Sequence, residues 1–178
     1  MKMTNDLNFE PEKWHACKKD NWQECTEGVN CYSYILNRPD YYWSVPGMGF
    51  AHASGQKYID SFKSHFKDFS LEDFRKSLIE GAMRDGLILL KEPTEKDGYY
   101  LVTLFFPKNN QDFHWYRKDS DGSWSHKDGW EPARNKDDDG NLTYDPQTAA
   151  LPLYPVLGGF FLVPWSGVAL KQNFPIDK

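Results

Sequence analysis

The chain lacks several features that would have settled its class at once. No stretch approaches the roughly 18 consecutive apolar residues that a membrane-spanning helix needs. The N-terminus, Met1 to Phe9, has no apolar core of a secretory signal. No cluster of Lys and Arg is present, and the formal net charge is −5, which argues against nucleic acid as a partner because phosphate recognition needs concentrated basic surface. Cysteine is scarce: Cys17, Cys25 and Cys31. None belongs to a C-x-x-C knuckle, and an odd count leaves at least one free thiol if the other two pair. These absences lead to the expectation of a soluble chain with no membrane span. It is cytoplasmic by default, with secretion by a route lacking an N-terminal signal left open.

Aromatic and charged residues are abundant instead, at 16% and 26% of 178 residues, and mean hydropathy is −0.74. That length suits one domain, 1–178. Such a balance predicts a core built on Phe, Tyr and Trp, with long polar connections. Residues 1–13 read as polar and extended, and 14–28 as an irregular layer held by Trp14 and Trp22. A short helix is expected over Cys31–Asn37, stopped ahead of Pro39. Residues 38–56, rich in Pro, Gly and aromatics, read as a long connection of the kind that rims a site. Tyr58, Ile59, Phe62 and Phe66 have helical spacing, and Ser70-Leu71-Glu72-Asp73 caps a second helix that Gly86 ends. Strands follow at 87–90, 99–106 and 159–164, with a hairpin of 113–119 and 123–127 about Ser120-Asp121-Gly122. Helices first and an antiparallel sheet afterwards make an α+β domain.

Cys31 stands where a helix N-terminus would favour its thiolate, although a buried thiol or a disulfide with Cys25 fits the same residue. A three-residue turn at Gly122 sets Tyr116 opposite His126, which makes His114 and His126 diagonal neighbours on one sheet face. In that register His114 is the candidate base for Cys31, and His126 the residue that fixes its tautomer. Each histidine taken alone fits a structural role equally well.

The arrangement Asp112-x-His114-Trp-Tyr-Arg…Gly122…His126, following a cysteine at a helix start, resembles NlpC/P60-type peptidases, a papain-like group of cysteine amidases. The resemblance covers about residues 28 to 127. Asn30 stands where that family has an Asp, and the interval from Cys31 to His114 is longer than usual. The resemblance implies a papain-like fold with N-terminal helices packed on an antiparallel sheet. It also implies a Cys31–His114–His126 triad cleaving an amide bond through a thioester, and a peptide, protein or peptidoglycan-like substrate. Gln23 or Trp22 is the upstream candidate for an oxyanion donor. Tyr42, Trp43 and Trp115 are candidates for a groove binding a sugar or peptide, with a core role equally open. The alternatives are a non-catalytic binding module on the same fold, and a transferase or deamidase using the same thiol.

No cofactor is expected and no metal set passes. His15, Cys17, Cys25 and Cys31 are zinc-competent but wrongly spaced. Asn135-x-Asp137-x-Asp139-Gly140 begins like a calcium loop, yet Pro146 stands where its bidentate Glu belongs, leaving a solvated acidic turn.

Overall fold

The computed structural model describes residues 7–14, 22–26 and 28–174. His15, Cys17 and the expectations placed on 1–6 and 15–21 lie outside them. Two short 3-10 turns, Pro11–Lys13 and Trp22–Glu24, precede helix α1, Cys31–Ile35. Strands β1 (Trp43–Val45) and β2 (Gly49–Ala51) come next, then helices α2 (Gly55–Phe66) and α3 (Leu71–Arg84). Strands β3 (Ile88–Leu90), β4 (Tyr99–Phe106), β5 (His114–Lys118), β6 (Trp124–His126) and β7 (Val156–Pro164) complete an α+β chain.

Local chemistry explains the helix boundaries. Ser54 and Ser70 cap α2 and α3, their hydroxyls accepting the N–H groups of Lys57 and Asp73. Asp73 in turn accepts the Ser70 hydroxyl at 2.7 Å, and Gly86 ends α3 at φ 108°. The inward stripe of the two helices meets as rings, with Phe74 set edge-on to Phe62 and Phe66.

The five-stranded antiparallel sheet runs β3-β7-β4-β5-β6, which puts the apolar run of β4 at its centre. Strand alternation divides the core. Val102, Leu104, Phe106, Trp115, Phe161 and Val163 face the three helices. Leu101, Phe105, Tyr116, Trp124, Phe160 and Leu162 form the opposite layer, roofed by Leu151 and Tyr154 from the irregular 128–154 segment rather than by a helix. The hairpin forms in the expected register, Tyr116 opposite His126, with Gly122 at φ 84°. The N-terminal segment is fastened there, since Leu7 O accepts both the N–H and the hydroxyl of Ser120.

The 38–56 connection differs from expectation. It contains the β1–β2 hairpin, turned by Gly47 at φ 76°. Asp85 ties this turn to the helices by accepting Gly47 N–H and the Tyr32 hydroxyl, each at 2.7 Å. A Cβ on Gly81 of α3 would collide with the Pro46 carbonyl. Alanine normally favours a helix by about 1 kcal/mol over glycine, so Gly81→Ala is an informative change. Urea unfolding is expected to show a net loss of about 1–3 kcal/mol from overpacking, and a gain would contradict this contact.

Cys25 is disulfide-bonded, whereas Cys31 is free. The disulfide removes Cys25 from any thiolate zinc set. No helix among the described residues is long and apolar enough to cross a membrane.

Candidate functional site

Asn30 builds the start of α1. Its Oδ1 accepts the Ser33 N–H at 3.2 Å, and its Nδ2 donates to Ser44 O at 2.6 Å, so one side chain caps the helix and pins it to β1. From below, the buried Lys127 ammonium donates to the carbonyls of Val29, Asp128 and Gly129 at 2.8, 3.1 and 3.2 Å. It therefore joins the loop before Cys31 to the loop after His126. Burial draws its pKa down to about 8.

Cys31 is 6% exposed and belongs to the helix-side core. Its Sγ donates to the Phe113 carbonyl at 3.8 Å. Burial pushes the thiol pKa far above its ordinary value, and the Asp112 and Asp128 carboxylates push the same way. The helix N-terminus does not overcome desolvation here.

His114 and His126 come together as expected, His114 Nε2 and His126 Nδ1 lying 2.7 Å apart. Their rings, however, belong to the other side of the sheet. His114 stacks on Tyr154 and meets Tyr116 edge-on, whereas Trp115, the next residue, packs against Tyr32 of α1. The thiol thus meets the β5 backbone at Phe113, whereas the two imidazoles bond to each other. Desolvation lowers both rings to about 3, assisted by the Arg134 guanidinium and, for His126, by its neighbour His114, so both are neutral at pH 7.

Three further side chains complete the cluster. Asp128 Oδ1 lies 3.5 Å from His114 Nδ1, and Arg134 reaches Asp128 at 3.7 Å and Asp138 at 3.0 Å. Tyr154, stacked on His114, donates its hydroxyl to Asp112 at 2.8 Å. Among the described residues, His114, His126 and Asp128 are the set whose donor atoms converge as metal ligands would. Asp128, Arg134 and Tyr154 carried no sequence signal beyond the position of Asp128, two residues after His126.

The remaining site candidates fall elsewhere. Trp43 and Trp115 are 1% and 0% exposed and are core residues, not walls of a groove. Trp43 stacks on Tyr58, donates Nε1 to Ala53 O, and fills the space that Cβ atoms on Gly28 and Gly129 would need. Tyr42 is half-buried, edge-on to His52. Gln23, on the second 3-10 turn, is exposed and donates to Gln56 at 3.1 Å. Asp137 uses its carboxylate on the backbone N–H groups of Asp139, Asn141 and Ala150, which fits the acidic turn expected there.

No family model matches the chain, and no solved structure matches it. Among curated proteins it is similar to insoluble matrix shell protein 1 of Ruditapes philippinarum, with 32% identity over 141 residues covering 79% of each chain. Identity at that level over that share of both chains is that of common descent, and the chain belongs to the family of this shell protein.

Proposed function

We propose that the chain is a non-catalytic structural or binding component of an extracellular matrix, built on a papain-like arrangement whose thiol serves as a core residue. The carrying observation is the setting of Cys31: buried, and hydrogen-bonded to the Phe113 backbone carbonyl while the two histidine rings bond to each other. A nucleophile needs thiolate character and access, and this setting supplies neither. The relative's name supports a matrix role. A disulfide at Cys25 supports an oxidising compartment in place of a cytoplasmic one.

A second reading rests on a specific observation, the 2.7 Å contact between His114 and His126. It is a divergent NlpC/P60-type thiol amidase acting on a peptide or peptidoglycan-type bond. Cys31 is its nucleophile, His114 its base and His126 its orienting residue. That chemistry requires Sγ to leave the Phe113 carbonyl and reach an imidazole edge.

The two readings separate on Cys31→Ala. A core thiol predicts no thiol-dependent release of amine from peptide or peptidoglycan-fragment substrates, and a stability loss of about 1 kcal/mol. Turnover present in the native chain and abolished in the variant would overturn the non-catalytic reading.

A further inference from the structure

We infer that His114, His126 and Asp128 form a binding site for a divalent transition-metal ion of the zinc type. One ligand atom from each lies within 4.8 Å of those of the other two. His126 is only 1% exposed, and its Nδ1 lies 2.7 Å from His114 Nε2, so the two imidazole edges already meet inside the cluster. A cavity of about 30 Å³ adjoins these three residues, walled on its other sides by Tyr116, Arg134, Asp138, Leu151, Leu153 and Tyr154.

The donor set selects the ion. Two imidazoles and one carboxylate suit zinc, cobalt or nickel, whereas calcium and magnesium require a shell of oxygens. Three protein ligands leave a fourth position open to water or another group. Tyr154, stacked on His114 and bonded to Asp112, fixes the plane of that ring. Two nitrogens on a tetrahedral ion at about 2.0–2.1 Å stand roughly 3.3 Å apart. The present 2.7 Å contact therefore opens by a few tenths of an ångström on loading. Arg134 opposes the ion electrostatically from 3.7 Å off Asp128, and its second partner, Asp138, gives it a place to withdraw to.

Titration of the full chain with Co²⁺ alone, followed by its visible ligand-field bands and by calorimetry, tests the site. One equivalent is expected to bind, to be displaced by Zn²⁺ and to be unaffected by excess Ca²⁺. His126→Gln should abolish the bands. Asp128→Asn, at a half-exposed position that leaves folding intact, should weaken binding roughly tenfold or more. Arg134→Gln should tighten it by removing a positive charge. Absence of binding, or binding unchanged in both His126→Gln and Asp128→Asn, would overturn the assignment. Labelling of Cys31 is a separate readout, so failure here leaves the thiol reading standing.

Discussion

Asp119→Ala is expected to destabilise the fold by about 3–5 kcal/mol, because it strands a buried guanidinium. Arg117 is 1% exposed and points to the helix side of the sheet. Its Nε and Nη2 donate to Asp119 Oδ1 at 3.0 and 2.9 Å, and Nη2 also donates to the Tyr34 hydroxyl at 3.2 Å. The guanidinium lies 4.4 Å over the Tyr34 ring. Burial nonetheless pushes the Asp119 carboxyl above its ordinary range in spite of Arg117. Desolvation outweighs attraction, so the pair is valuable mainly because neither member can be removed alone. A double variant, Arg117→Met with Asp119→Leu, should recover most of the loss. Chemical denaturation checks both, and a single-variant loss below about 1 kcal/mol would contradict a fully buried pair.

The second large effect is an early acid transition. His114 and His126 have folded pKa values near 3, below the ordinary 6.5. Between those limits the unfolded chain binds protons that the folded chain refuses, so stability is present above about pH 6.5 and falls as pH drops toward 3. Each ring contributes a slope of about 1.4 kcal/mol per pH unit. The raised pKa values of Asp85, Asp112 and Asp119 act oppositely as those carboxyls titrate, so they offset part of the histidine slope at the acid end. Thermal unfolding should show Tm falling as pH drops below about 6.5. His114→Gln combined with His126→Gln should flatten the profile there, and an unchanged profile would contradict two neutral buried rings.

Much of this fold was legible in the sequence because it rests on local rules. Capping serines at 54 and 70, the period of Phe62, Phe66, Phe74 and Leu78, and the apolar run of β4 each act over a few residues. The turn at Gly122 was legible for the same reason, and it carried the His114–His126 pairing with it. What was hidden depended on distant parts of the chain. The β1–β2 hairpin needs Gly47 to rest against Gly81, and Pro–Gly–aromatic composition does not distinguish that from an open loop. The alternation of β5 put Trp115 toward α1 and His114 away from it, but strand periodicity alone does not say which face the helix takes. Trp43 and Trp115 look alike as groove walls or as core; packing on Tyr58 and Tyr32 decides for core. Asp128, Arg134 and Tyr154 reach the histidines only through the irregular segment that roofs the second face, where no periodicity exists to read.

The setting of Cys31 carries the functional reading, and its reactivity is the most direct measure of it. Native protein at pH 7 is treated with iodoacetamide, and alkylation at Cys31 is followed by peptide mass mapping against a small free thiol. A buried thiol whose ionisation is suppressed should react roughly a hundredfold or more slowly than the reference, and accelerate only on unfolding. Alkylation of Cys31 in the folded chain as fast as the free thiol or faster, slowed by His114→Gln, would contradict the core reading and favour the amidase.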